Sequence, residues 1–315
     1  MTDDAVSTRT VVAPPPGQPV ELPVLAPGSS DRKVLLVGVD GLRWDRIAAA
    51  DAPVLTALMA DGLYATGAHD PASPAQTVSG PGWSTLATGT SPRRHGVCDN
   101  SFDGRRYDQC PDFMTLAKRA MPDVRSCAVI DWAPLVDMGT FGPEIDVRIR
   151  FDGDRYGFFA EDLRTIDVAT QLLAETDPDI TFVYIGCVDE AGHRTGPLSS
   201  AYMAGITAAD EMIGRLLETV RGRPTYRDEQ WLVLVSTDHG HLDEGGHGGT
   251  TEAERAIFVI ASGSGIPAGT RTTGVRTVDV APTVLDHLGV VPDPSWHLEG
   301  RSLLRGSPSV ASPQR

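Results

Sequence analysis

The sequence predicts an α/β fold, a central and mainly parallel sheet sandwiched between helices. Two observations carry this reading. Three short apolar runs rich in branched residues each end on an aspartate, and stretches with apolar residues at three- and four-residue steps lie between them. Helices then cover both faces of the sheet, and ligands gather beyond the carboxyl ends of its strands.

The elements follow in order. Residues 1–30 carry Pro14, Pro15, Pro16, Pro19, Pro23 and Pro27 with few large apolar groups, too little apolar surface to offset the entropy of ordering, so a flexible tail is expected. A single α/β domain is expected over 31–315. Lys33 to Val39 reads as a buried strand that delivers Asp40, with Gly41 after it. Ser79-Gly80-Pro81 reads as a strand-to-helix junction, because proline suits the first helical turn. The stretch from about 102 to 155, mixed and rich in Asp, Arg, Gly and Pro, is expected to hold a connecting strand or two and a small cap insertion. Phe159 to Thr176 and Ala201 to Arg221 read as helices, the second through Met212, Leu216, Leu217 and Val220. Ile180 to Val188 runs into Asp189, and Trp231 to Thr237 runs into Asp238-His239-Gly240. No internal repeat is evident.

A chain of 315 residues can bury a sizeable core, and its formal net charge of −15 would be repelled by a nucleic-acid polymer or an anionic membrane. A small-molecule partner is therefore expected. Met1-Thr2-Asp3-Asp4 shows neither the basic stretch nor the apolar segment of a secretory signal, and no apolar run approaches bilayer length, so the expected location is cytoplasmic. Cys98, Cys110, Cys127 and Cys187 lack CxxC spacing, so free buried thiols are expected, with a Cys98–Cys110 bridge as the alternative. No pattern speaks to oligomeric state.

Chemistry concentrates where the apolar runs stop. Asp189 and His193, four residues apart, can turn onto one cation, although helix capping by Asp189 explains the carboxylate equally well. Asp238 and His239 offer adjacent oxygen and nitrogen donors, and Gly240 lets the chain bend. In the glycine-rich loop that follows, His247 is flanked by glycines and expected to meet a ligand, whereas His241 and Asp243 are expected in solvent. Oxygen and imidazole donors without thiolate suit zinc, manganese or another divalent ion. Ser79 would lie beside free N–H groups at a helix N-terminus, a setting that favours phosphate, with plain capping as the alternative.

Taken in order, Asp40-Gly41, Ser79-Gly80-Pro81, Thr88-Gly89 with Pro92 and His95-Gly96, Asp189-x3-His193, Asp238-His239-Gly240 and His247-Gly248 resemble the alkaline phosphatase superfamily. The likeness is strongest to its type I phosphodiesterase and nucleotide pyrophosphatase branch and runs from about residue 33 to 305. It implies a hydrolase of phosphodiester or phosphoanhydride bonds that works with two divalent ions, zinc foremost, on a small-molecule phosphate ester. By resemblance, Asp189, His193 and His247 hold one ion, while Asp40, Asp238, His239 and the oxygen of Ser79 hold the other. Ser79 would be the nucleophile, passing through a phosphoseryl intermediate, and Gly80 and Asn100 would steady the phosphoryl oxygens.

Two departures stand out. Threonine is usual at the nucleophile in this branch, which leaves Thr77 as a fallback here. Trp83 stands where formylglycine sulfatases carry arginine, so that chemistry is not expected. Trp83 joins Phe102, Tyr107, Trp132, Tyr156 and Phe158 as candidates for an apolar wall that stacks a base or aryl group. The neutral Asn100 favours diesters, unless Arg93 and Arg94 face inward to meet a monoester dianion. Alternatives are a phosphomonoesterase on a small metabolite, a phosphonate hydrolase, and a non-catalytic binding module.

Overall fold

Nine strands form one sheet in the computed structural model, which describes residues 8–304. They are β1 (Arg9–Val12), β2 (Arg32–Val39), β3 (Leu63–Ala68), β4 (Ser126–Ile130), β5 (Val147–Arg150), β6 (Ile180–Ile185), β7 (Gln230–Ser236), β8 (Ala256–Gly263) and β9 (Thr270–Val275). Their order across the sheet is β1-β5-β4-β6-β2-β7-β8-β3-β9. β8 runs antiparallel to both neighbours and the other pairings are parallel. The three strands read from sequence, β6, β2 and β7, are adjacent at the centre, so their carboxyl ends open onto one place.

Alternation along β2 shows why both faces are covered. Val34 and Leu36 enter one apolar layer with Trp83, Leu86, Phe182 and Leu234, while Leu35, Val37 and Val39 enter the other with Ile206, Met212, Ile213 and Leu216. The helix Ser200–Arg221 buries its apolar stripe in the second layer, and the helices Ser79–Thr88 and Val280–His287 close the first. Among the described residues no helix is long and apolar enough to cross a membrane.

Two segments differ from the sequence reading. Residues 1–7 of the Pro-rich segment lie outside the described residues, but Arg9–Val12 adds to the sheet edge in parallel register with Val147–Arg150. Arg164 donates to the Pro14 carbonyl at 2.6 Å, and Leu25 is buried in the core. This segment borrows its order from the rest of the chain, which local composition cannot reveal. The stretch 102–155 contributes mainly to the body of the domain through the helix Phe113–Ala120 and strands β4 and β5, whose β4 residues are all buried. All four cysteines are free, so Cys98 and Cys110 do not pair.

Candidate active site

Strand ends and two loops bring the polar residues together. Asp40 follows β2, and Asp238 and His239 follow β7. After β6 the chain turns directly into the helix Cys187–Thr195, where the four-residue step puts Asp189 and His193 on one face, with Oδ2 and Nε2 3.2 Å apart. Ser79 opens the helix Ser79–Thr88, and His247 returns over it from the glycine-rich loop, its Nδ1 donating to the Thr77 carbonyl at 2.8 Å.

Around His239 Nε2 lie Asp40 Oδ1 at 3.4 Å, Asp238 Oδ2 at 3.3 Å and Ser79 Oγ at 3.4 Å. Donors 2.0–2.1 Å from a tetrahedral zinc are separated by about 3.3–3.4 Å, so these spacings fit one such ion. Neither Asp40 Oδ1 nor Asp238 Oδ2 has a hydrogen-bond donor although both are buried, which is costly for a carboxylate unless a cation meets it. His239 donates its Nδ1–H to the Gly240 carbonyl at 3.1 Å, leaving the Nε2 lone pair free.

A second set lies alongside. His247 Nε2 is 3.5 Å from Asp189 Oδ1 and 2.9 Å from His193 Nε2. Because His247 Nδ1 is the donor to Thr77, its Nε2 is a bare acceptor, and two imidazole nitrogens this close need a proton or a cation between them. Donor atoms of Asp189, His239, His241 and His247 are close enough together to hold an ion, as are those of Asp40, Asp238 and His239. All seven residues expected as ligands therefore converge.

The electrostatics show the same shortage of positive charge. Burial, then the charge of Asp189, pushes the Asp40 carboxyl up to about 6, against the hydrogen bonds from Tyr184 and Trp83. Burial and the nearby Asp40 and Asp189 raise Asp238 well above the usual range. For Asp189 burial is outweighed by hydrogen bonds from His193 and His241, which hold it well below that range. Burial pushes His239 down to about 3, and burial with the charge of His239 pushes His247 down to about 4. Neutral imidazoles beside crowded carboxylates are the protonation state a divalent cation requires.

Several expectations change. Trp83 is fully buried and cannot line a substrate wall; its Nε1–H donates to Asp40 Oδ2 at 3.0 Å, where Tyr184 Oη–H also donates at 2.5 Å. Phe102 is likewise buried, and Trp132 packs against it with ring centroids 5.9 Å apart. The Gly80 amide donates to Asn100 Oδ1 at 2.7 Å and so is not available to a phosphoryl oxygen. Thr77 Oγ1 donates to the Gly249 carbonyl at 2.9 Å, which occupies the fallback nucleophile. Arg93 donates to the Ala72 carbonyl and Arg94 pairs with Glu299. His241, expected in solvent, is fully buried with Nε2 2.7 Å from Asp189 Oδ1. Asp243 is exposed as expected but pairs with Arg43 at 2.5 Å. A cavity of about 440 Å³ is lined by Val78, Pro81, Arg93, Arg255 and Arg276, and none of the seven ligand candidates lines it.

A mostly parallel sheet with a serine and clustered aspartates and histidines at its carboxyl edge defines the alkaline phosphatase-like class of α/β protein. The model of the type I phosphodiesterase / nucleotide pyrophosphatase family matches residues 34–123 and 125–252, and the chain belongs to that family. It is 27% identical over 254 residues to human ectonucleotide pyrophosphatase/phosphodiesterase family member 7, covering 75% of this chain and 52% of that protein. A 2,3-bisphosphoglycerate-independent phosphoglycerate mutase from Thermomicrobium roseum is 32% identical over 152 residues, 46% of this chain and 27% of that protein. The chain thus spans about half the length of the family member 7 relatives it matches. Among solved structures, an inactive point mutant of murine ectonucleotide pyrophosphatase / phosphodiesterase 5 in complex with AMP superposes with a TM-score of 0.65 at 15% identity, covering 84% of this chain and 96% of that one. Phosphonate monoester hydrolase from Silicibacter pomeroyi gives 0.63 at 17% identity, covering 86% and 76%. At these identities the superpositions establish the fold.

Proposed function

We propose that this chain hydrolyses phosphodiester or phosphoanhydride bonds of small molecules, with Ser79 as nucleophile beside two divalent ions, zinc foremost. Asp40, Asp238, His239 and the Ser79 oxygen would hold one ion, and Asp189, His193 and His247 the other. The observation that carries this is the placement of Ser79 Oγ 3.4 Å from His239 Nε2, within the set that includes two donorless buried carboxylate oxygens. Bound divalent ions supply Lewis-acid charge to a phosphoryl group and favour ionisation of a nearby hydroxyl.

Ser79 Oγ would form its bond to phosphorus as the bond to one leaving alcohol or nucleotide breaks in line, giving a phosphoseryl intermediate that keeps the substrate's second substituent and that water later hydrolyses to release the monoester. The helix N-terminus at Ser79 favours the anionic phosphoryl group. Asn100 would donate from its side-chain amide to a non-bridging oxygen, since its carbonyl already accepts the Gly80 amide. Diesters are favoured over monoesters because Asn100 is neutral and Arg93 and Arg94 are engaged elsewhere. The AMP complex of the murine neighbour supports a nucleotide-type substrate for this site.

Ser79→Ala tests the assignment. Turnover of bis(p-nitrophenyl) phosphate should fall at least about a thousandfold while elemental analysis still finds metal in the protein. Unchanged turnover would exclude Ser79 as nucleophile, and a strong preference for p-nitrophenyl phosphate over the diester would move the assignment to monoesters.

A further inference from the structure

His241 stands outside the two proposed ligand sets, although its donor atom lies close to those of Asp189, His239 and His247. We propose that His241 is a positioning residue for the cation site of Asp189, His193 and His247, its Nε2–H fixing the Asp189 carboxylate so that loss of the imidazole weakens that site selectively. The inference rests on the two-cation reading of the site.

Distances separate this role from direct ligation. His241 Nε2 is 2.7 Å from Asp189 Oδ1, a hydrogen-bond length, whereas the two ligand candidates of the same set stand further from this carboxylate, His193 Nε2 at 3.2 Å from Oδ2 and His247 Nε2 at 3.5 Å from Oδ1. The imidazole is fully buried, and its Nδ1 has no hydrogen-bond partner. An orphaned buried N–H is costlier than an orphaned acceptor, so the ring proton belongs on Nε2, facing the carboxylate. With that proton in place, Nε2 has no lone pair for a metal. A carboxylate ligand held by a second hydrogen-bonding group is a common way to orient a metal site.

The surroundings are shaped around this ring. A Cβ at Gly41 or at Gly192 would come within 2.6 Å of His241 Nε2, so both positions leave room for the imidazole that a side chain would take. Arg43 Nη1 donates to the His241 carbonyl at 3.2 Å, and Arg43 is itself held by Asp45 and Asp243. Tyr202 packs edge-on against the ring and donates its hydroxyl to the Gly41 carbonyl at 2.7 Å. The loop that looked solvated in sequence is thus pinned from three directions with its imidazole pointed at one carboxylate.

Zinc titration of the metal-free full chain against a chromophoric chelator tests this, with His241→Leu and His241→Gln compared to the parent. The parent should bind two ions. His241→Leu should lose about 10–100-fold in affinity for one ion and none for the other. His241→Gln, whose amide N–H can reach the same carboxylate oxygen, should recover most of that loss and leave the visible spectrum of the cobalt-substituted protein unchanged. Should His241→Leu not fold, His241→Asn, with a shorter side chain, replaces it. Parent-like affinity for both ions in His241→Leu or His241→Asn would overturn the positioning role. So would failure of glutamine to rescue together with a changed cobalt spectrum, because the imidazole would then be a ligand itself. A parent that binds fewer than two ions would instead remove the two-cation reading on which this depends.

Discussion

Asn100 accepts the Gly80 amide at Oδ1, 2.7 Å away, and this fixes which way its side chain faces, since a backbone N–H can be met only by the carbonyl end. The NH₂ end is left for a ligand. Asn100→Asp keeps the acceptor for Gly80, removes the donor and adds a negative charge that repels the phosphoryl group. We predict a fall in kcat for diester hydrolysis of at least about 10²–10³ with an unchanged melting temperature, the lower bound being the size expected for one lost donor to a transition-state oxygen. A kcat within threefold of the parent would remove Asn100 from the reaction. At this scale the candidate ligands Asp40, Asp189, Asp238, His239 and His247 were legible in sequence because each sits where an apolar run ends on a charge or between glycines, His193 by its four-residue step from Asp189, while Ser79 and the division into two sets rested on the family resemblance. The roles of Trp83 and His241 were not legible. A tryptophan in an apolar helix reads as wall or core alike, and a hydrogen bond to Asp40 across 43 positions leaves no local trace. His241 stands among polar residues, and its burial depends on Gly41 and Gly192, distant in sequence.

The helix Ser79–Thr88 positions the proposed nucleophile, Ser79, through close packing against the loop that carries Asp238. A Cβ at Gly82 would lie 2.7 Å from the Asp238 carbonyl oxygen and 2.8 Å from its Cβ, contacts that only a shift of the helix or of the loop can relieve. Alanine would gain about 1 kcal/mol in helix propensity, but overpacking of this kind costs about 1–3 kcal/mol and moves Ser79 relative to the Asp and His donors. Gly82→Ala should therefore lower kcat about a hundredfold, the loss typical of a shift near 1 Å, while melting only a few degrees below the parent. Parent-like kcat in a folded variant would show that the helix need not sit this close. Elements at the centre of the fold were readable in advance because β2, β6 and β7 are buried on both faces and so are continuously apolar. The edge was not, because β1 is four residues long and takes its hydrogen bonds from β5. The stretch 102–155 misled for a related reason, since its strands lie between polar turns and their place in the sheet is set by β6 beside β4 and by β4 beside β5.

For the whole molecule, a net charge of −15 is combined with three carboxylates gathered at the carboxyl edge of the sheet, Asp40, Asp189 and Asp238, of which Asp40 and Asp238 are fully buried. In the metal-free protein, Asp40 is raised to about 6 by burial and by Asp189, and Asp238 is raised well above its ordinary value by burial and by Asp40. A carboxyl whose pKa is higher in the fold than in the unfolded chain holds its proton more tightly when folded. Its stabilisation is complete below the unfolded value near 4 and is lost as pH climbs through the folded value. Asp189, lowered by His193 and His241, works in the opposite sense and keeps its contribution above pH 4. Asp40 thus contributes a loss of roughly 3 kcal/mol between about pH 4 and 6, whereas His239 and His247, held neutral in the fold by burial, oppose it as the unfolded imidazoles lose their protons near pH 6.5. Zinc bound as proposed would replace the missing positive charge, so the rise in melting temperature on adding saturating zinc should be small at pH 5 and larger at pH 7.5. The difference should be on the order of 5 °C for a chain of this size. His239 and His247 are already neutral at pH 5, so they add little to this trend, whereas His193, raised by its hydrogen bond to Asp189, adds to it in the same direction. Differential scanning calorimetry with chelator and with zinc at the two pH values measures the effect directly, and an equal zinc increment at both would mean that the buried carboxylates do not carry the charge this geometry gives them.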